Sequence, residues 1–441
     1  MLSSGGGPHD HRKTFCVVVC ALSLLLSRDP AAAEGVRSIG RSLPARLASY
    51  CVFTHVPSDP LAEPSVLDIP MVPRLPLADA IWGATGRDDR GHVWFGVSMK
   101  PRSGVSGYLL EYIPETKEMI HRGDVISELR RLGLCRDGEK QPGIHTKILQ
   151  AADGHLYFAS TDLSGGDFLA GTKPPTWGGH LWRLRLPEYE WEHLIAVPEG
   201  LVAIAGSDDL IYACGFFGHK LYQYNIRRGE VRSVQVGSVD AHFTRNIVSD
   251  CRNHVYVPRL RRSETTGESI ATLVEYDTEL REVGQKPLPH YIVRSPNASH
   301  GITAFQPMVD GSIIFATSIG FMYRIVPRED APAELVDVGW FHPDGPRYVP
   351  SLFTYAGERY VMGLATGSHD KERLPRGFEW VVHDLATNDV AVTPVRVASQ
   401  TPFPLNWTVL YGSVTRDNAG HFYVVGRSSL KHPVILQVQC Q

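Results

Sequence analysis

A short turn-plus-strand unit recurs seven times along the 441-residue chain, and this repeat constrains the fold more than any other feature. The copies read RGHVWF, DGHLYF, DDLIYA, RNHVYV, DGSIIF, GERYVM and AGHFYV. Their matching positions hold Trp94, Tyr157, Tyr212, Tyr256, Ile314, Tyr360 and Tyr423. Between 44 and 63 residues separate successive copies, which is the length of a four-stranded blade with variable loops.

A second alternating run follows each unit, for example GYLLEYIPETKE after the first copy and GHLWRLRLPEYE after the second. Alternation of apolar and polar residues with a period of two, closed by a polar turn, is typical of antiparallel strands. No segment shows helical periodicity of comparable strength. The sequence therefore predicts an all-β fold, a seven-bladed β-propeller.

The two ends of the repeat region predict how the ring closes. Only 18 residues follow Tyr423, too few to complete a blade. We expect an N-terminal strand, residues 50–56, to complete the last blade, because closure removes the open sheet edges. Cys51 and Cys440 would then lie on neighbouring strands, where a disulfide is geometrically reasonable. The other cysteines are expected to be thiols.

The N-terminal segment has the features of a secretory signal peptide. Basic residues precede an apolar core, and Ala31, Ala32 and Ala33 form a small-residue cleavage site. The apolar run is too short for a membrane span. We therefore predict a signal peptide at 1–33, a linker at 34–47 and the propeller at 48–441, in a secreted or periplasmic protein that is a monomer.

Composition restricts the class of ligand. The net charge is −3, with 21% charged residues, and this near-neutral balance argues against nucleic acid as the main partner. Cations nevertheless gather where the repeat predicts one face of the ring. The starts of the inner strands hold Trp82, His145, Val202, His242, Arg245, His300, Tyr348 and Trp407. Loops returning to that face hold Lys100, Arg102, His180, His219, Arg259, Arg261, Arg262, His369, Lys371 and Arg373. This collection predicts an anionic ligand.

Structural roles compete with functional ones at these positions. A channel histidine such as His145 can bond to a neighbouring blade, and the arginines from 259 to 262 can form a solvated loop. His92, His155, His254 and His421 recur just before the second strands, which favours a role in the turns. Cys214 with His219, or Cys251 with His254, matches no closed zinc site. No metal site is therefore assigned, and a divalent metal stays open as a cofactor.

Histidine, tyrosine and arginine together suit proton abstraction next to a carboxylate. An arginine neutralises the carboxylate, a neutral histidine or tyrosine takes the α-proton, and a further hydroxyl or imidazole protonates the leaving oxygen. This chemistry is β-elimination on uronic-acid polysaccharides. The chain lacks the G-x-S-x-G, P-loop and H-E-x-x-H patterns that would indicate other chemistry.

The segments IHTKILQAADGHLYFAS, GGHLWRLRLP and DAHFTRNIVSDCRNHVYVPRL resemble secreted seven-bladed propellers of the ulvan lyase type, which are polysaccharide lyases. The resemblance implies two histidines, a tyrosine and an arginine as catalytic residues. His145 and His180 match the two histidines, and Arg245 matches the arginine. Tyr222 and Tyr224 both fit the tyrosine, and we assign Tyr224. The expected substrate-binding residues are His242, His300, Arg259, Arg261, Lys100 and Trp407. The expected partner is an anionic polysaccharide or oligosaccharide.

Two other classes of function stay open. A non-catalytic binding propeller would show scattered side chains at the channel mouth, with an aromatic or apolar rim. The other class is a propeller lactonase or small-molecule lyase, of which the lactonase would show a closed pocket with carboxylate ligands. A polysaccharide lyase would instead bring His145, His180 and Arg245 within a few ångströms of one another.

Overall fold

The computed structural model describes residues 61–70, 75, 77–100, 105–166, 173–206, 208–216, 219–239, 242–291, 301–355, 358–366, 378–395, 397–398, 409–428 and 430–440. The predicted signal peptide, linker and closing segment 50–56 lie outside these residues. The proposed Cys51–Cys440 disulfide, His300 and Trp407 depend on undescribed residues as well.

Seven antiparallel sheets form the blades of a ring. Blade 1 contains β2 (Ala78–Ala80), β3 (Thr85–Arg87), β4 (Val93–Met99), β5 (Tyr108–Ile113) and β6 (Glu118–Asp124). Blade 2 contains β7 (Gly143–Ile144), β8 (Leu149–Gln150), β9 (Leu156–Thr161), β10 (Gly179–Arg185) and β11 (Glu190–Val197). Blade 3 contains β12 (Gly200–Gly206), β13 (Leu210–Phe216), β14 (Lys220–Asn225) and β15 (Val231–Gln235). In blades 1 and 2 two short segments pair with the second strand and together form the inner strand.

The remaining blades repeat this order. Blade 4 contains β16 (Val248–Ser249), β17 (Val255–Arg262), β18 (Ser269–Tyr276) and β19 (Glu282–Pro287). Blade 5 contains β20 (Ile302–Pro307), β21 (Ile313–Thr317), β22 (Phe321–Val326) and β23 (Glu334–Trp340). Blade 6 contains β24 (Phe353–Tyr355), β25 (Tyr360–Thr366), β26 (Phe378–Asp384) and β27 (Val390–Val395). Blade 7 contains β29 (Val409–Arg416), β30 (Phe422–Arg427) and β31 (Pro433–Gln439). The prediction of a seven-bladed propeller is confirmed, and each repeat unit forms the second strand of its blade.

The last blade takes its outer strand from the other end of the described chain. Strand β1 (Ser65–Asp68) pairs antiparallel with β31, with Val66 opposite Val438. Its other edge pairs in parallel with β28 (Val397–Ala398). A helix, α1 (Val125–Arg131), follows blade 1, with Asp124 accepting a hydrogen bond from the Ser127 amide at its N-terminus.

The repeated turns explain why polar residues precede each second strand. In blade 4 the Asp250 carboxylate accepts hydrogen bonds from the Arg252 and His254 amides (2.8 and 3.1 Å) and the Tyr256 hydroxyl (2.6 Å). Asp417 in blade 7 makes the same three kinds of bond, and Asp88 in blade 1 accepts from two turn amides and from the indole N–H of Trp94 in place of a hydroxyl. The carboxylate thus joins the turn to a buried aromatic residue, and the repeat encodes architecture at these positions.

Candidate functional site

Side chains from five blades meet at the mouth of the channel where the inner strands begin. We call the group Trp82, His145, Lys147, Arg245, Tyr348 and Tyr411 the Arg245 mouth. His145 follows β7, Arg245 precedes β16, and Tyr348 precedes β24, so each lies near the start of its inner strand. The sequence predicted this face for Trp82, His145, Arg245 and Tyr348.

Aromatic rings surround the Arg245 guanidinium. Its central carbon lies 4.3 Å from the centre of the Tyr411 ring and 5.7 Å from that of Trp82. Arg245 Nη1 donates to the Trp82 carbonyl (3.1 Å), and its buried Nε has no hydrogen-bond acceptor within the part of the chain that the structure describes. Among the described residues, no carboxylate forms an ion pair with Arg245. A cation held by π faces and one carbonyl can still accept an anionic partner.

His145 contacts the same Trp82 ring as this cation and is held in its neutral form. Its ring centre is 6.1 Å from that of Trp82, which also stacks edge-on against Tyr411. Burial and the nearby Arg245 charge lower the pKa of His145 to about 3. A neutral imidazole offers one nitrogen as a proton acceptor at physiological pH.

Lys147 and the two tyrosines complete the mouth. Lys147 Nζ donates to the Gly83 carbonyl (2.8 Å), and burial together with Arg245 lowers the pKa of this amine to about 7. Burial raises the pKa of Tyr348 and Tyr411, although Arg245 opposes the shift in both. Both phenols therefore keep their protons at neutral pH and can act as donors.

A neutralised pair borders the mouth. Arg427 forms an ion pair with the buried carboxylate of Asp79 (2.8 Å), and its guanidinium lies 5.5 Å from the Trp82 ring centre. Because this pair carries no net charge, Arg245 and the partly protonated Lys147 give the mouth a positive potential.

His180 lies on the same face but in a separate hydrogen-bonded group. Ser160 pairs with Ile144 on one side and with His180 on the other. His180 therefore lies two strands further from the channel axis than the backbone next to His145, a distance of about 10 Å. Its Nε2 lies 3.1 Å from Glu139 and its Nδ1 lies 2.9 Å from His193. Burial lowers the pKa of His180, and the Glu139 carboxylate opposes that shift. Both ring nitrogens are thus engaged, and no described contact joins this histidine to Arg245.

Tyr224 lies toward the opposite face of the ring. It pairs with Ile211, near the start of the second strand of blade 3, and charges that act on it include Arg183 in β10 and Asp153 in the turn before β9. The structure does not bring this hydroxyl to His145. The phenols at the mouth are those of Tyr348 and Tyr411, and the resemblance indicated neither of them.

His242 is buried between blades 3 and 4. Hydrogen bonds join its ring to Tyr291 (2.7 Å) and Ser238 (3.0 Å), and it stacks on His219 with ring centres 5.7 Å apart. Burial lowers the pKa of His242 well below the usual value and that of His219 to about 4. These contacts assign His242 a packing role in this structure.

The predicted basic substrate-binding residues are dispersed. Arg259 is buried and forms an ion pair with Glu282 (2.8 Å), with a further bond to Gln285 (2.9 Å). Arg261 is exposed on the same strand. Lys100 is half-buried, and its amide bonds the Leu77 carbonyl (3.0 Å). The described basic side chains therefore do not form one continuous patch with Arg245.

Two clusters have the composition of metal sites, namely Asp88, His92 and Glu111 in blade 1 and their counterparts Asp250, His254 and Glu275 in blade 4. In the first, Arg90 Nη2 lies 2.6 Å from Asp88 and 3.0 Å from Glu111. In the second, Arg252 bridges the two carboxylates at 2.7 Å each. A guanidinium thus already bridges the two carboxylates of each cluster, and the donors do not fit a divalent metal as arranged.

Sequence reasoning missed Lys147 and Tyr411 at the mouth. A signal for Lys147 was present, since it follows His145 by two residues and alternation places both on one side of the strand. Tyr411 lies in β29, whose pairing with β30 shifts register between Tyr411 and Thr415. That irregularity hides which side of the strand faces the channel.

Comparisons with known proteins support the fold alone. No protein-family model and no curated protein matches the chain. The extracellular domain of BT4673 from B. thetaiotaomicron, assigned as a hybrid two-component system, is 13% identical, with a TM-score of 0.50. The match covers 85% of this chain and 39% of that one, so the chain spans well under half of that protein's length.

Two further solved structures are similar at lower scores. The β-propeller domain of Cps50 (Swd1) from Myceliophteria thermophila is 11% identical, covers 82% and 99% of the two chains, and has a TM-score of 0.46. U3-55K is 10% identical, covers 85% and 98%, and has a TM-score of 0.49. Within the described residues, no helix has the length and hydrophobicity that a membrane span requires. The seven sheets and the first of these likenesses show a seven-bladed β-propeller.

Proposed function

We propose that the Arg245 mouth binds a uronic-acid saccharide and cleaves it by β-elimination, as a polysaccharide lyase does. The observation that carries this proposal is a guanidinium that has no carboxylate partner among the described residues, together with a neutral imidazole close enough for that charge to lower its pKa. The first group can neutralise a substrate carboxylate, and the second can accept a proton.

In the proposed reaction, Arg245 binds the uronate carboxylate and makes the proton on the adjacent carbon more acidic. His145 removes that proton, the electron pair forms the new carbon–carbon double bond, and the bond to the glycosidic oxygen breaks. Tyr348 or Tyr411 protonates the leaving oxygen. The rings of Trp82 and Tyr411 supply a stacking surface for a sugar.

The depressed pKa of His145 fits this sequence of steps. An imidazole with a pKa of about 3 is a weak base, but one cause of the depression is the charge on Arg245. A bound carboxylate offsets that charge, so substrate binding raises the basicity of His145. The base would therefore gain strength only when a substrate is present.

A non-catalytic role in binding an acidic saccharide is the second candidate. It is favoured because His180 is hydrogen-bonded to Glu139 and His193. Among the described residues, His145 is then the one histidine at the mouth, whereas the resemblance implies two. In this case the same guanidinium and rings would hold a carboxylate without proton transfer.

The test is incubation of the purified chain with a panel of uronate polymers while the ultraviolet absorbance of the unsaturated product is followed. We expect product from at least one polymer, and a loss of 100-fold or more in rate in Arg245→Met and in His145→Gln. Arg232→Met and His121→Gln, which alter exposed residues, serve as matched controls. Absence of product from every polymer would refute the lyase proposal, and Arg245-dependent binding without product would support the second candidate.

A further inference from the structure

The channel contains a second space, at the end opposite the Arg245 mouth. Here a cavity of about 130 Å³ is lined by inner strands and the turns that follow them. We call it the turn-side cavity. Its lining comes from blades 1, 2, 3, 4, 5 and 7, and it includes Ala152 and Asp208 in the turns of blades 2 and 3. Lys147 belongs to both the Arg245 mouth and this lining, whereas His145 and Arg245 do not line the cavity.

The wall of this cavity is mainly hydrophobic. Ile148, Ile204, Ile247, Val248 and Phe305 line it, and all except Phe305 are almost completely buried. An apolar cavity of about 150 Å³ in another protein stays dry and binds benzene. The turn-side cavity is thus of a size to hold one six-membered ring or a branched aliphatic chain.

The charged groups that line the cavity are mostly cationic. They are Arg87, Lys147 and Arg416 against the single carboxylate of Asp208. Lys147 and Arg416 are each only 4% exposed, so water screens them little. Burial and the neighbouring Asp209 raise the pKa of Asp208, whereas burial and Arg245 lower the pKa of Lys147 to about 7, so Lys147 is partly protonated at neutral pH. The field inside the cavity is therefore positive.

The two buried cations are fixed in place. Lys147 donates to the Gly83 carbonyl (2.8 Å), and Arg416 donates to the Thr354 carbonyl (3.3 Å) and the Gln306 side-chain oxygen (3.4 Å). Cations fixed in position at a hydrophobic wall match a ligand that has one anionic group and a hydrophobic body.

We propose that the turn-side cavity binds a small monocarboxylate with an apolar body, such as an aromatic or branched-chain acid. The carboxylate contacts Lys147 or Arg416, and the body packs against Ile148, Ile204 and Phe305. This site goes beyond the proposed elimination and does not depend on it, since neither His145 nor Arg245 lines the cavity.

Isothermal titration of the full chain with benzoate tests the proposal, with benzyl alcohol and acetate as comparison ligands. Benzoate has both a carboxylate and an apolar ring, whereas benzyl alcohol lacks the charge and acetate lacks the ring. We expect benzoate to bind at least tenfold more tightly than either of the others. Equal binding of benzoate and benzyl alcohol, or no detectable binding of benzoate, would overturn the proposal.

Variants locate the site. Ala152→Phe fills the cavity from an exposed turn and should abolish benzoate binding, and Lys147→Met should weaken it at least tenfold. Lys220→Met, at an exposed lysine in blade 3, is the matched control. Circular dichroism checks folding, and Ala152→Phe keeps the test decisive if Lys147→Met does not fold. Benzoate binding that survives Ala152→Phe, or that disappears in Arg245→Met, would place the ligand elsewhere and refute the assignment.

Discussion

Replacing Arg245 by methionine tests the electrostatic link on which the proposed chemistry depends. The ring contacts of His145 and Arg245 with Trp82, at 6.1 and 5.7 Å, place the imidazole at most about 12 Å from the guanidinium. At about 10 Å and an effective dielectric constant of about 20, a unit charge disfavours protonation by about 1.7 kcal/mol, which is about one pKa unit. Removing the charge should therefore raise the pKa of His145 from about 3 to about 4.

The measurement is an NMR titration of the histidine rings. The chain has 19 histidines, and His145→Gln identifies the resonance that belongs to this one. At pH 4 about half of His145 should be protonated in Arg245→Met, against about a tenth in the unaltered chain. Near-ultraviolet circular dichroism at the same pH shows whether the fold is retained.

Two results would contradict this reasoning. An unchanged titration would mean that Arg245 does not influence His145. A pKa near the usual value of 6.5 in Arg245→Met would mean that the charge, rather than burial, is the larger cause. Arg232→Met, at an exposed position in blade 3, is the control and should leave the titration unchanged.

Two further predictions concern stability. Asp250→Ala removes the acceptor of two turn amides, a buried hydroxyl and Arg252, so urea denaturation should show a loss of about 3–5 kcal/mol in the free energy of unfolding. In Asp277→Ala the arginine partner is more exposed, and the expected loss is about 1 kcal/mol. Equal losses in the two variants would contradict the argument. Burial raises the pKa of Glu199 to about 7, so the native state binds an extra proton between about pH 4.5 and 7, and stability should fall as pH rises across that range and level off above it. In the unaltered chain, urea denaturation should show that the free energy of unfolding falls by up to about 3 kcal/mol between pH 5 and 8, and Glu199→Gln should lack this fall. A fall of the same size in Glu199→Gln would refute the assignment.

The fold could be predicted because each blade repeats the same local pattern. A polar turn followed by an alternating strand is a short-range property, and seven copies of it leave few alternative architectures. The location of Trp82, His145, Arg245 and Tyr348 followed from counting back along each inner strand, since the repeat fixes where that strand begins. These four residues needed no knowledge of contacts between blades.

The other site residues depended on contacts that the repeat does not encode. His180 bonds Glu139, which lies 41 residues earlier, and Arg259 bonds Glu282, 23 residues later. Such partners decide whether a polar side chain is available to a ligand, and spacing alone does not reveal them. The position of Tyr224 was taken from the resemblance, whereas strand register puts it toward the other face.

Pairing of β1 with β31 has a consequence for synthesis of the chain. About 365 residues separate Asp68 from Pro433, so at 5–20 residues per second the first strand waits roughly 20–70 seconds for its partner to leave the ribosome. Until then the ring cannot close, and the apolar side chains that blade 7 later covers on its neighbours stay exposed to solvent. The nascent protein therefore passes through a stage in which β1, the first strand of the described residues, lacks its partner, and this stage is where we expect a chaperone to be needed most.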